Sequence, residues 1–267
     1  MKRGKLIGAV VLVGVIGLII ALQRGEPVND ITNGDSGATI EPPTAGSLIG
    51  QTGAGGANSL QVELSGNANL PGEGEVRVYT IDAAQSEIYW RIYRSGALAR
   101  LGHNHVISIS ELNGSVTLGS DLAIAEWNLS FPVDSLIIDE PELRARYGED
   151  FESVPSENDK TGTKRNMMTD RVLNGEVYTE IELSGTGVTG PLDNAELPVS
   201  IQMLGRTIAQ SFPAAISIGA DTLTVTGEYG LTHEDLGMEP FSAFGGAIAV
   251  GAEIDFTYRI YAVAGGQ

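Results

Sequence analysis

The 267-residue sequence contains no cysteine. Disulfide bonds, cysteine-ligated zinc, a thiol nucleophile and lipid attachment at a lipobox cysteine are therefore excluded. Histidine is nearly as scarce, with three residues in the whole chain. Any site that needs an imidazole must use His103, His105 or His233.

Basic residues are also few, and they are unevenly placed. The chain has 16 lysines and arginines against 34 acidic residues, which gives a formal net charge of −18. Four of the basic residues lie in residues 1–24, where there is no acid, so the remainder carries 12 basic against 34 acidic residues. Such a body repels the phosphates of nucleic acids and anionic membrane surfaces. No nucleic-acid partner is predicted.

The N-terminus carries a short basic stretch followed by a long apolar run. Residues 6–22 are uncharged and apolar throughout, and as a helix they would span about 25 Å, close to the lower limit for crossing a bilayer. Cleavage after Ala21 would put Ile19 at the −3 position, where signal peptides have a small residue. Residues 1–24 are therefore predicted to be a transmembrane anchor, with a cleaved leader as the alternative. Either way, the positive charge before the run places the rest of the chain outside the cytoplasm.

Residues 25–74 have a different composition from the remainder. They are rich in Gly, Pro, Ser, Thr and Asn and have no aromatic residue. A segment of this kind cannot bury enough apolar surface to offset the entropy of ordering. It is predicted to be a flexible linker that precedes a folded domain at residues 75–267.

Alternating apolar and polar residues predict an all-β domain from residue 75 onward. Trp90, Trp127, Phe131, Phe256 and Tyr258 lie on the apolar faces of such runs, and further strands fit residues 105–118, 177–188, 213–219 and 245–252. Many strands that each have one apolar face indicate a sandwich or a closed barrel. The five aromatic residues are predicted either to line a hollow interior or to fill it, because periodicity does not separate the two.

Residues 140–173 interrupt the strand pattern. They begin like a helix at 142–147, continue as a polar loop and end near a helical turn at 166–172, which is typical of a cap over one end of a barrel. The acid pairs here and just before, Asp134 with Asp139 and Glu149 with Asp150, are interpreted as solvated surface because acids are abundant along the whole chain.

Two of the three histidines stand two residues apart in the stretch ARLGHNHVIS. In a strand, His103 and His105 would point to the same side and could chelate one metal ion, with His233 as the third ligand. Gly102 and Asn104 are turn residues, and a histidine in a turn more often bonds to other protein groups. The favoured interpretation is a structural or pocket-wall role, with the three-histidine metal site as the alternative.

The folded part contains five characteristic stretches, in this order: YTIDAAQSEIYWRI, LGHNHVISISELNGSVTLG, RNMMTDRVLNGEVYTEIELSGTGV, DTLTVTGEYGL and THEDLGMEPFSAFGGAIAVGAEIDFTYRIYA. Their order and spacing resemble those of the YceI-like proteins. The sequence departs from the family pattern where His233 and Leu236 flank Glu234 and Asp235, and at Thr179, where other members have proline. These departures are typical of a divergent subgroup.

The resemblance implies a lipocalin-like antiparallel barrel with one short helical capping excursion, located outside the cytoplasm in bacteria. It also implies a long apolar tunnel that holds a polyisoprenoid, a quinone or a similar amphiphilic lipid. The predicted ligand contacts are then the five aromatic residues together with His103 and His105 at the mouth. No catalytic residue and no other cofactor are predicted, and the oligomeric state is left open.

The predicted function is that of a binding protein rather than an enzyme. It is tethered to the bacterial inner membrane by a single N-terminal helix, with the barrel in the periplasm and an amphiphilic lipid in the cavity. The first alternative is a metal-dependent sensor or enzyme that uses His103, His105 and His233. The second alternative is a filled barrel that acts as an interaction module in envelope stress.

Overall fold

The alternating pattern forms twelve antiparallel β-strands in the computed structural model, which describes residues 69–265. The predicted membrane anchor and all but the last residues of the predicted linker lie outside the described residues. The strands are β1 (Arg77–Ile81), β2 (Glu87–Ser95), β3 (His105–Ile109), β4 (Asn113–Leu118), β5 (Glu126–Pro132), β6 (Leu136–Ile138), β7 (Glu180–Thr186), β8 (Ala195–Met203), β9 (Arg206–Ile218), β10 (Thr222–Thr232), β11 (Ser242–Ala243) and β12 (Ile248–Ala264).

Eight of the strands close into a barrel. The order around the ring is β1-β4-β5-β7-β8-β9-β10-β12, and β12 pairs back to β1 with Tyr79 opposite Ala264. Because every neighbouring pair in the ring is antiparallel and the ring is complete, it has no free edge. The prediction of an all-β antiparallel barrel is confirmed, and the sandwich alternative is excluded.

The sheet branches at β12. This strand has 17 residues, and along one edge it pairs with two shorter strands, β1 and β2. The last residues of β12 pair with β1, whereas residues 249–259 pair with β2. From β2 the sheet continues through β3 to β6, which ends this branch. Three short connecting segments lead from a strand of one branch to a strand of the other: residues 82–86 between β1 and β2, 110–112 between β3 and β4, and 133–135 between β5 and β6. The predicted strand at 105–118 is thus two strands.

Two helices lie between β6 and β7, in the segment predicted to cap the barrel. Helix α1 is Pro141–Arg144 and continues as a 3-10 helix over Ala145–Phe151, and helix α2 is Glu157–Met167. Helix α2 packs against β6, and Lys164 Nζ donates to the backbone oxygen of Asp134 at 2.7 Å. The helix therefore covers the side of the barrel where β6 has no further strand. No helix among residues 69–265 is long and apolar enough to cross a bilayer.

The position of α2 corrects the sequence prediction. Residues 157–165 were predicted as polar loop and 166–172 as a helical turn, but the helix ends at Met167. It begins with a capping box in which Ser156 Oγ accepts from the Asp159 backbone N–H and Asp159 Oδ2 accepts from the Ser156 N–H. The Ser-x-x-Asp spacing is a recognised helix-start signal, but the helix has no apolar face, so hydrophobic periodicity missed it.

A second, smaller apolar cluster lies on the outer face of β2 and β3. Tyr89 and Val106 pack there against Leu143 and Phe151 of the capping segment. The main core occupies the barrel interior and is built from the opposite faces of the strands, such as Trp90 and Ile107. Strands β2 and β3 are therefore buried on both faces, which places the capping segment against the wall of the barrel.

A buried ion pair holds the capping segment to the barrel. Asp139 is 1% exposed and Arg144 is 6% exposed, and Arg144 Nη1 donates to Asp139 Oδ1 at 2.6 Å. The guanidinium also donates to the backbone oxygens of Asn104, Phe151 and Ser153. Asp139 in turn accepts from the Val106 backbone N–H at 3.0 Å. Because both charges are paired and most of their polar atoms are bonded, their burial is tolerated.

We expect the substitution Arg144→Met to lower the free energy of unfolding by about 3–5 kcal/mol, because it leaves the Asp139 carboxylate buried without its counter-charge. The matched control is Arg146→Met, two residues along, which removes an exposed pair with Glu87 and should cost less than about 1 kcal/mol. Denaturant unfolding of both variants measures the two losses. Equal losses would contradict the central role of the buried pair.

Candidate functional site

The interior of the barrel contains an apolar cavity of about 200 Å³. Its wall is made by the inward faces of the strands and by Met167 of helix α2 with Val172 and Leu173 after it. The polar side chains on the wall are His233, Thr257 and Tyr258. A polar solute would gain little binding free energy from contact with such a surface. An apolar chain that enters the cavity would remove its own surface from water, which is favourable.

The structure places all five predicted aromatic residues on the cavity wall: Trp90, Trp127, Phe131, Phe256 and Tyr258. Trp90 and Phe256 are directly opposite each other on β2 and β12, with their ring centroids 5.7 Å apart. Such cross-strand aromatic contacts stabilise the sheet as well as forming the wall.

Two glycines make room for the largest rings. A Cβ at Gly185 would come within 2.4 Å of the Trp127 ring and 2.2 Å of the Pro198 oxygen, and one at Gly227 within 2.3 Å of the Tyr258 hydroxyl. That hydroxyl donates to the Pro213 oxygen at 2.6 Å, and burial raises the pKa of Tyr258.

Gly185 is also the first residue of the stretch GTGVTG, whose sequence matches the dinucleotide-binding pattern G-x-G-x-x-G. The stretch begins in strand β7 and is not followed by a helix, so it is not a dinucleotide-binding turn.

A second pocket of about 180 Å³ lies at one end of the barrel and is called here the mouth pocket. All three histidines line it, together with Thr163 and Asn166 of helix α2. Four residues line both this pocket and the interior cavity: Ile92, Met167, Val172 and His233. We call these four residues the neck, because they border both the mouth pocket and the interior cavity.

His105 is fixed by the buried ion pair beneath it. Its Nδ1 lies 2.6 Å from Asp139 Oδ2, and its Nε2 lies 3.4 Å from the Thr163 hydroxyl of helix α2. Burial on its own would raise the pKa of Asp139, but hydrogen bonds from His105, the Val106 N–H and Arg144 hold that pKa below its ordinary value. The carboxylate is therefore ionised and acts as an acceptor toward the imidazole.

His103 and Asn104 complete the histidine turn. His103 Nδ1 lies 3.1 Å from Ser153 Oγ, and the pKa of His103 is lowered by partial burial and by the neighbouring His105. Asn104 is buried between the two histidines, accepts from the Arg94 N–H at 2.9 Å and donates to the Asp150 oxygen at 3.0 Å. The turn is thus tied to β2 and to the capping segment at once.

The three histidines do not converge as a metal site. The rings of His103 and His105 are 6.3 Å apart, and His233 Nδ1 bonds the Ala252 backbone oxygen at 3.0 Å. Within residues 69–265 no group of three or more His, Asp or Glu side chains is arranged to hold a metal ion. Because the Nδ1 atoms already have protein partners, the metal-dependent alternative has no support in the geometry.

The sequence analysis did not predict the residues that position His103 and His105 at the mouth. Asp139 was interpreted as solvated surface, but it is 1% exposed and lies at the centre of the His105–Asp139–Arg144 cluster. Its backbone has a φ of 58°, which Asp tolerates better than most residues. No periodic signal marks it, since it follows the three-residue strand β6 directly and its partners are distant in sequence.

No protein-family model and no curated protein sequence matches this chain. Solved structures similar to it include BcnA of Burkholderia cenocepacia, with a TM-score of 0.49 and 9% identity over 68% of this chain and 98% of that chain. They also include the YceI protein of Campylobacter jejuni, with a TM-score of 0.42 and 8% identity over 60% of this chain and 85% of that chain. The second carries the name of the family to which the sequence motifs pointed.

The depressed pKa of Asp139 predicts a specific pH dependence. A carboxyl group whose pKa is lower in the folded than in the unfolded chain stabilises the fold above its unfolded value, and the effect is lost as the pH falls through the folded value. We therefore expect the stability advantage of the wild type over Asp139→Asn to shrink as the pH falls below the ordinary pKa of 3.8.

Denaturant unfolding of both proteins between pH 7 and pH 3 measures this difference. The contributions of the other acidic residues cancel between the two chains. A difference that stays constant down to pH 3 would contradict the assignment.

Proposed function

We propose that this protein binds an amphiphilic lipid, an isoprenoid or a fatty-acyl compound, with its chain in the barrel cavity and its headgroup in the mouth pocket. The observation that carries the proposal is the apolar interior, which shares the four neck residues with a pocket whose lining includes the three histidines, Thr163 and Asn166. This two-part arrangement matches the two parts of an amphiphile. A wholly polar ligand would leave the interior unused, and a hydrocarbon would leave the polar side chains of the mouth pocket without a ligand partner.

The sizes of the two pockets support the same assignment. Each is smaller than the roughly 300–1,000 Å³ of pockets that hold drug-sized ligands, whereas the two together reach that range. A ligand of ordinary size therefore has to extend through the neck. A slender chain with one polar end fits this shape better than a broad ring system.

Apolar burial would supply the affinity. At about 25 cal/mol per Å² of apolar area removed from water, a ligand that buries several hundred Å² gains on the order of 10 kcal/mol before the costs of ordering it. The aromatic wall residues, including Trp90 and Phe256, provide large rigid surfaces for this contact. The filled-barrel alternative lacks such a site, so the cavity argues against it.

We infer that the protein acts by binding rather than by catalysis. The wall of the interior offers no nucleophile with an adjacent base, and the Tyr258 hydroxyl is engaged with a backbone oxygen. At the mouth, the imidazole of His105 is engaged by a buried carboxylate that is itself held by Arg144. These contacts orient side chains at an entrance, and the 3.4 Å between His105 Nε2 and the Thr163 hydroxyl is longer than the contact between a nucleophile and the base that activates it.

We also propose that the protein works at the bacterial inner membrane, on its periplasmic side. The support is the sequence: the apolar run at 6–22 with basic residues before it, followed by a polar linker to the barrel. A tether of this kind would keep the cavity close to the membrane pool of isoprenoids and other lipids. The anionic body is compatible with this arrangement, since only the anchor has to enter the bilayer.

Mass spectrometry of a denaturing organic extract of the purified full-length chain tests the binding proposal. We expect about one lipid per chain, or uptake of added isoprenoid to that level. Recovery of no lipid, together with no uptake of isoprenoid alcohols, quinones or fatty acids, would contradict it.

A cavity-blocking variant locates the site. Val225 lines the interior, and Val225→Phe should displace roughly two ligand methylenes at about 0.8 kcal/mol each, which weakens binding about 15-fold. The matched control is Ala84→Phe, which adds a phenyl ring at an exposed turn and should leave binding unchanged. Fluorescence titration with one isoprenoid ligand measures both affinities.

A further inference from the structure

His233 occupies the neck in a defined tautomer. It is 6% exposed, and its Nδ1 lies 3.0 Å from the Ala252 backbone oxygen. A carbonyl oxygen only accepts hydrogen bonds, so the neutral ring must carry its proton on Nδ1. Burial lowers the pKa of His233 and outweighs the bond to Ala252, which raises it, so the neutral ring is the stable form near pH 7.

The other nitrogen of His233 is consequently a lone-pair acceptor. Among residues 69–265 no side chain or backbone group bonds to Nε2, and this nitrogen is not one of the fully buried side-chain atoms that lack a partner, so it is accessible from the pockets. His233 lines both the interior cavity and the mouth pocket. A ligand that passes through the neck therefore meets an unpaired acceptor where its chain ends and its headgroup begins.

His105 lines the mouth pocket but not the interior cavity. Both of its ring nitrogens have partners among the described residues, since Nδ1 lies 2.6 Å from Asp139 Oδ2 and Nε2 lies 3.4 Å from the Thr163 hydroxyl. His233 is therefore the histidine whose second nitrogen is left for a ligand.

Several side chains that can donate hydrogen bonds also line the mouth pocket, among them Arg94, Thr163 and Asn166. The Arg94 Nη1 donates to the Gly102 oxygen at 3.0 Å. Of the four neck residues, however, only His233 has a polar side chain, so the neck itself offers one acceptor to a headgroup.

We propose that the neck selects amphiphiles whose headgroup carries a hydroxyl group, such as a long-chain alcohol or a hydroquinone, over counterparts that only accept hydrogen bonds. His233 Nε2 is the selecting atom. This inference rests on the proposed lipid-binding function and specifies its headgroup class. A hydroxyl satisfies the buried acceptor, whereas an ether or a carbonyl leaves it unpaired and faces it with a second lone pair.

Three ligands with the same chain test the selection: farnesol, its methyl ether and the parent hydrocarbon. With the full-length wild type we expect farnesol to bind about 3- to 10-fold more tightly than the ether, as one neutral hydrogen bond allows. In His233→Phe we expect farnesol and the ether to bind equally. Equal binding in the wild type, or tighter binding of the ether, would overturn the inference while leaving lipid binding intact.

Two further outcomes separate the possible failures. If none of the three ligands binds the wild type, the inference is overturned, and the proposed function fails as well if the lipid extract and the uptake of quinones and fatty acids are also negative. If farnesol remains preferred in His233→Phe, selection at His233 is wrong. Because this variant also removes the bond to Ala252, its melting temperature is compared with that of the wild type before affinities are read.

Nuclear magnetic resonance of the wild type gives a readout that needs no variant. The chain has three histidines, so ¹⁵N-histidine labelling yields three ring systems. We expect His233 to show the tautomer protonated at Nδ1, and its Nε2 signal to shift when farnesol is added but not when the ether is added. A His233 ring protonated at Nε2 would overturn the inference.

Discussion

The cavity and its mouth both depend on the pairing of one long strand. β12 pairs with β10 over residues 253–263 along one edge and divides its other edge between β1 and β2. The β1 branch closes the ring, whereas the β2 branch runs on to β6 and stops. The barrel is consequently closed around the apolar interior and incomplete beside β6, where helix α2 packs. The neck lies between the two regions, with Ile92 on the β2 branch and Met167 at the end of helix α2.

The buried Asp139–Arg144 pair links the capping segment to the mouth. Arg144 reaches three backbone oxygens, from Asn104 before β3 and from Phe151 and Ser153 in the capping segment, while Asp139 receives His105. A buried pair of this kind adds little net stability compared with a well-packed apolar core, because both charges lose their hydration. Its effect is positional: the mouth imidazole, the turn before β3 and the capping segment must adopt one arrangement together.

The contrast between interior and mouth explains why the molecule suits an amphiphile. Most of the wall of the interior is formed by strand side chains that point inward, so its apolar character follows mainly from strand periodicity. The mouth pocket is bordered by ends of β2 and β12 and also by segments outside the strands: the turn at Gly102 and His103, helix α2, and His233 after β10. The side chains of these segments take partners that strand periodicity does not predict, such as Ser153 for His103 and the Ala252 oxygen for His233.

The amino-acid sequence by itself determined the all-β class, the inward position of Trp90, Trp127, Phe131, Phe256 and Tyr258, and the location of the capping excursion. Each of these follows from local alternation or its interruption, which a pleated strand converts directly into a face. Tertiary structure alone decided that the ring closes, that Asp139 is buried, that the polar stretch at 157–167 is a helix and that the histidines have separate partners. Those outcomes rest on pairings between residues distant in the chain, such as Tyr79 with Ala264 and Asn104 with Arg144. Local sequence patterns do not predict such contacts, because the contacts stabilise the protein only when distant segments of the chain have come together.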